Sequence, residues 1–244
     1  MKTRQEIKAL AREGMAYQRG TAILIALVYI LVVLAGGQSE NIPVLGSIIL
    51  LATLFFIDMP LLVGMYGTFI KIFSKEQTGV GEMFSGGFAV NYLRKVGGMA
   101  WMLLWVIIWS LLLVIPGIVK ALSYSMTAFI LHQFPNVTAR QALKISMKIT
   151  DGYKGDIFVL TLSFIGWLLL FSIPSFILWG IGLHMLSSLV FHILFALYVS
   201  PYLYTSFAGF YLELRDKALA DGKVTHEELG LPAPVPVHEP MIIH

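Results

Sequence analysis

The 244-residue chain is 57% hydrophobic and 13% charged, with a formal charge of +3 and a mean hydropathy of +0.80. So little polar surface cannot cover a globule in water, and the expected solvent is a lipid bilayer. With no cysteine there is neither a disulfide nor a Cys-ligated metal centre, and with no basic face exposed to water no nucleic-acid partner is expected.

The chain opens on a helix expected to lie at the membrane surface. Thr3 and Glu6 form a capping-box pair, and Arg4, Lys8 and Arg12 recur every four residues to make one basic stripe. A span over residues 20–37 follows. Its basic flank and the Val33-Leu34-Ala35 step resemble a secretory signal, but Glu6 and Glu13 in that flank favour retention as a first span.

A helix rises about 1.5 Å per residue and needs roughly 20 apolar residues to cross the hydrocarbon. By that measure further spans are expected over residues 44–73, 98–115, 117–134, 156–173 and 186–212. The second holds Asp58, an acid placed near mid-membrane beside Pro60. The proline ring is expected to free the Phe56 carbonyl next to the carboxyl group. Asp58 is therefore a candidate intramembrane polar site, with Lys120 as a possible partner reaching inward.

The apolar stretch from Met99 to Phe134 is too long for one span. Ile115-Pro116-Gly117 is read as its reversal, because proline restricts the preceding residue and glycine tolerates positive φ. Charge placement agrees. Of the 17 Lys and Arg residues only Lys120 falls outside the segments on one expected side, which puts both termini in the cytoplasm.

After Phe134, Thr138 and Gln141 repeat the capping box, and Arg140, Lys144 and Lys148 repeat the basic stripe. Asn136-Val137-Thr138 matches a glycosylation sequon but is read as a loop and cap. The six residues Arg4, Lys8, Arg12, Arg140, Lys144 and Lys148 are candidate contacts for anionic lipid. "WLLLFSIP", ending at Pro174, echoes "WSLLLVIP", ending at Pro116, and "NIP" ends at Pro43. "PYLYTSFAGF" from Pro201 echoes "PLLVGMYGTF" from Pro60. These echoes suggest three parallel copies of one unit: interfacial helix, outward span, Ile-Pro reversal, returning span. The interval from Pro174 to Leu214 exceeds one return helix, so "SFILWGIGLHML" is expected as an outer interfacial helix.

The expected fold is thus an all-α polytopic bundle of about six transmembrane helices, with residues 1–214 as one membrane domain. Residues 215–244, proline-rich toward the end, are expected to form a disordered cytoplasmic tail. No two histidines stand three or four residues apart, and no Walker loop or nucleophile elbow occurs. Neither enzymatic activity nor a cofactor is expected.

At "FSGGF", "IPGIVKALSYSM", "LSFIGW" and "PYLYTSFAGFYLEL" the chain resembles a family of bacterial integral membrane proteins known as domain of unknown function 975, over roughly residues 1–214. The resemblance implies a bacterial cytoplasmic membrane and supplies no reaction or ligand. Two functions follow as expectations. One is a structural or regulatory component that meets membrane lipids, a membrane protein partner or further copies of itself. The other is a transporter or permease subunit built around Asp58.

Overall fold

In hydrocarbon a backbone can satisfy its own hydrogen bonds as a helix, and every regular element among the described residues is helical. The computed structural model describes residues 2–37 and 45–232, and no strand occurs among them. In chain order the helices are α1 (Arg4–Tyr17), α2 (Arg19–Gly37), α3 (Leu45–Thr53), α4 (Met59–Phe73), α5 (Val80–Phe88), α6 (Tyr92–Leu112), α7 (Val114–Tyr124), α8 (Thr127–Gln133), α9 (Ala139–Ile149), α10 (Lys154–Gly180), α11 (His184–Leu194) and α12 (Ser200–Ala220). Five continuous helical stretches are long and apolar enough to cross a membrane. α1 and α2, bent by 94°, make a sixth when counted together.

Both capping boxes form. Thr3 Oγ1 accepts from the Glu6 amide and Thr138 Oγ1 from the Gln141 amide, each at 3.3 Å, and each cap residue's own amide donates back to the Glu or Gln side chain. These bonds start α1 and α9 at fixed residues by satisfying end donors that have no partner within the helix.

The long apolar stretch does reverse, three residues ahead of Pro116. Leu113 is extended (φ −158°), and α7 packs back on α6 so closely that a Cβ on Gly117 would lie 2.3 Å from Ser110 Oγ. Pro116 then sits in the first turn of α7, where a missing amide costs nothing.

Pro174 behaves differently and corrects the expected third Ile-Pro reversal. It lies inside α10, which runs on to Gly180, and the chain turns at Ile181–Leu183, where Gly182 adopts φ +85°. Residues expected to form an outer interfacial helix are instead the end of α10 and the start of α11. The Ile-Pro step at residues 42–43 lies outside the described residues.

The two other helix prolines share a device. Pro60 and Pro201 are the second residues of α4 and α12, and each follows a π-helical turn, Leu54–Asp58 and Phe195–Val199. The wider turn takes up the ring that would otherwise strike the preceding helix.

The three returning helices meet at the centre. Tyr66 of α4 packs on Phe129 of α8 (ring centroids 4.4 Å apart), and Phe129 stacks on Tyr211 of α12 at 4.8 Å. The Tyr211 hydroxyl donates to Gln133 at 2.6 Å. α12 passes through the domain boundary expected at residue 214. Beyond it, residues 221–232 dock on α9, burying Val224 and Leu229 and pairing Glu228 with Lys148 at 2.5 Å. A disordered tail from 215 is therefore not what residues 215–232 form; 233–244 lie outside the described residues.

Candidate functional site

Asp58 ends the first π-helical turn and is buried, with Oδ1 shielded and lacking a hydrogen-bond partner. Tyr29 of α2 lies close enough to feel both Asp58 and Tyr204 of α12, and Tyr66 and Tyr204 are 5.6 Å apart edge to face. The acid therefore lies near Tyr29. The Phe56 carbonyl expected to be free beside it is taken: the Tyr92 hydroxyl of α6 donates to it at 2.6 Å. Nor does Lys120 reach the acid. Its ammonium lies 5.2 Å from the Trp109 ring and 5.9 Å from Tyr124, and no ion pair joins it to Asp58 among the described residues.

The six basic residues on α1 and α9 divide by partner. Arg4 stands 3.6 Å from Asp156, Arg140 lies 5.9 Å from the Trp101 ring, and Lys148 is held by Glu228. Lys144 is exposed on the same face of α9 as Arg140 and Lys148, while Ala142, Leu143, Ile145 and Ile149 are buried against the bundle. Lys8 and Arg12 reach across α1 toward α10 and α12. Lys8 Nζ donates to Ser163 Oγ at 2.6 Å, and Arg12 Nε donates to the Tyr202 hydroxyl at 3.1 Å.

A second polar cluster was not foreseen. α6 begins at Tyr92 rather than near 98, which carries Arg94 and Lys95 into the helix. Lys95 is 4% exposed and donates to the Gly86 carbonyl at 2.5 Å, in the last turn of α5. Arg94 donates to the carbonyls of Leu131 at 2.5 Å and Phe134 at 3.2 Å, and to that of Val137. Each cation thus fills acceptors left open where a helix ends, and complements the negative end of its dipole. The doublet directly ahead of an apolar run is visible in the sequence, but its carbonyl partners are set by the fold.

Beside them a cavity of about 310 Å³ is lined by Thr68, Lys71, Glu82, Ser85, Gly86 and His132, among others. The His132 ring is pressed between two helices: a Cβ on Gly67 would lie 2.1 Å from it and one on Gly86 2.7 Å. Its Nδ1 is buried without a partner. Lys71 pairs with Glu82 at 2.8 Å, and the Thr78 hydroxyl donates to the same carboxylate at 2.7 Å. The Lys71 hydrogen bond, then that of Thr78, hold the Glu82 carboxyl below the usual range.

These features define a helical bundle with membrane-length apolar spans and its polar contacts gathered at one end. The family model described as "Protein of unknown function (DUF975)" matches residues 90–218, more than half of the chain, and the protein belongs to that family. No curated protein and no solved structure matches it.

Proposed function

We propose that the protein is a non-catalytic, multi-pass component of the cytoplasmic membrane, with both termini in the cytoplasm, that holds anionic lipids or a membrane protein partner at its basic surface helices. The observation that supports this best is the disposition of α9. Its apolar residues are buried in the bundle while Arg140 and Lys144 stay exposed beside the ends of the spans, the arrangement of an interfacial helix facing headgroups. The same reading takes the chain as three parallel copies of a two-span unit, supported by the central meeting of the three returning helices.

The test is retention of lipid by the full chain purified from membranes. Arg140→Glu with Lys144→Glu should lower the anionic lipid or partner that co-purifies, and unchanged retention overturns the reading. A second reading, transport, is favoured by the buried, unpartnered Oδ1 of Asp58. It requires substrate-dependent flux through reconstituted protein that Asp58→Asn abolishes.

A further inference from the structure

Lys8 and Arg12 stand one helical turn apart on α1 and converge on one aromatic patch, Phe164 of α10 and Tyr202 of α12. Lys8 Nζ lies 4.5 Å from the centre of the Phe164 ring, and the Arg12 guanidinium lies 5.3 Å from that of Tyr202. The Tyr202 hydroxyl donates in turn to the Lys8 carbonyl at 3.4 Å, and the Phe164 and Tyr202 rings meet edge to face at 5.3 Å. Both side chains are therefore anchored, and each spends one hydrogen bond on its anchor, leaving most of its donors unused.

No carboxylate lies within ion-pair distance of either cation among the described residues. The neighbouring cation at Arg4 is matched by Asp156, so the pair at 8 and 12 is an excess of charge at one spot. Like charges four residues apart on a helix repel. Burial, and then the Arg12 guanidinium, push the Lys8 ammonium below the usual lysine range. Contact with the rings offsets part of this, but an anion between the two side chains would offset more.

From this patch an exposed apolar face continues along α10. Trp167 stacks on Phe171 at 6.2 Å within that helix, and Phe171 stacks on Tyr198, in the π-helical turn ahead of α12, at 5.4 Å. Trp167 and Leu170 follow Ser163 along one exposed stripe of α10 at helical spacing. A charged clamp at one end of an exposed apolar face matches a molecule with an anionic head and a hydrocarbon tail.

We propose that Lys8 and Arg12 clamp the phosphate of an anionic phospholipid, one acyl chain of which lies along the exposed apolar face formed by Trp167, Phe171 and Tyr198. This rests on the reading of the basic helices as lipid-facing and narrows it to one site.

The full chain in neutral detergent is titrated with dioctanoyl-phosphatidylglycerol, dioctanoyl-phosphatidylcholine and inorganic phosphate, each read by the thermal-unfolding midpoint. Phosphatidylglycerol should raise the midpoint and the other two should not. Lys8→Gln with Arg12→Gln should weaken the phosphatidylglycerol effect about tenfold or more, at roughly 1 kcal/mol per basic residue, while Lys217→Gln, at a cation already paired with Asp221, leaves it unchanged. Independently of how variants fold, wild-type protein irradiated with phosphatidylglycerol carrying a photoreactive acyl chain should be labelled within residues 159–171 or 195–202. Equal protection by phosphate and phosphatidylglycerol would make this an ion site and overturn the lipid. A preference for phosphatidylglycerol with labelling elsewhere overturns this site and leaves the broader reading standing. No preference for phosphatidylglycerol overturns both.

Discussion

The two ends of the bundle are built on opposite principles. At the charged end helix termini are tied by specific groups: Arg94 closes α8, Lys95 closes α5, and Gln18 bridges α1 to the segment after α4 by donating to the Glu76 carbonyl at 2.5 Å and accepting from the Thr78 amide at 3.1 Å. At the far end the turn from α6 to α7 is a run of apolar residues with nothing over it among the described residues, Leu111 being 82% exposed and Ile115 76%. Position at the charged end is set by directional bonds and close glycine contacts; at the far end apolar side chains stay exposed. Substitutions should therefore be far more costly at one end than at the other.

The sharpest way to break this comparison is all-or-none. The cysteine-free chain accepts single reporter thiols, and a membrane-impermeant reagent should label Ser39→Cys from outside intact cells and Gln141→Cys only after permeabilisation. Leu113→Cys, in the apolar turn, should stay unlabelled in both states. Labelling of Gln141→Cys from outside would invert the orientation, and labelling of Leu113→Cys would place that turn in water. Gly117 and Ser146 serve less well as reporters: Gly117 is pressed on Ser110, and Ser146 is fully buried, donating to the Ser123 carbonyl at 2.8 Å.

Next in size is the glycine contact between α4 and α5. A Cβ on Gly64 would sit 2.0 Å from the Met83 carbonyl oxygen and 2.6 Å from the Gly87 nitrogen, both backbone atoms. Gly64→Ala should cost about 3 kcal/mol or more in thermal unfolding. Gly166→Ala, where an added Cβ meets nothing within 4 Å, should change stability by less than about 1 kcal/mol and in the favourable direction. Similar losses in the two variants would remove the asymmetry.

Polar ties rank below that. Lys95→Met leaves the Gly86 carbonyl without its charged donor and should cost about 2 kcal/mol, and Tyr92→Phe, which strands the Phe56 carbonyl, about 1 kcal/mol. The smallest effect belongs to the tail. Glu228→Gln should cost about 0.5 kcal/mol, because its ion pair with Lys148 is half-exposed. The Lys148 hydrogen bond holds the Glu228 carboxyl below the usual carboxylate range. The ion pair's contribution to the attachment is therefore complete at neutral pH and lost as pH falls through that lowered value. Proteolysis after residue 220 should speed up in acid in the wild type and be insensitive to pH in Glu228→Gln.

The spans were legible because membrane length and apolarity leave few alternatives to a helix. The two capping boxes were legible because their partners lie three residues apart. Pro116 and Pro174 show where legibility stopped. Both follow isoleucine in similar apolar runs, but the first enters a helix just after an extended residue and the second rides inside one. The difference is set at Leu113 and Gly182, by packing that local sequence does not carry. Asp58 was found as a buried acid, yet Tyr92, which occupies the nearby carbonyl, comes from 36 residues away. The Lys8 and Arg12 cluster was half visible: the basic stripe shows in α1, whereas Ser163 and Tyr202 are brought to it only by the fold.

The bare turn between α6 and α7 also bears on how the protein is made. Insertion is opposed chiefly by charges that must cross, at roughly 2.5–3.5 kcal/mol each near the bilayer centre, whereas leucine, isoleucine and valine favour entry. The segment from Leu111 to Val119 contains no charge, and Lys120 lies against Trp109 within the same hairpin. Pushed in tip first from the charged side, the hairpin drags no hydrophilic loop through the hydrocarbon and can enter as one unit.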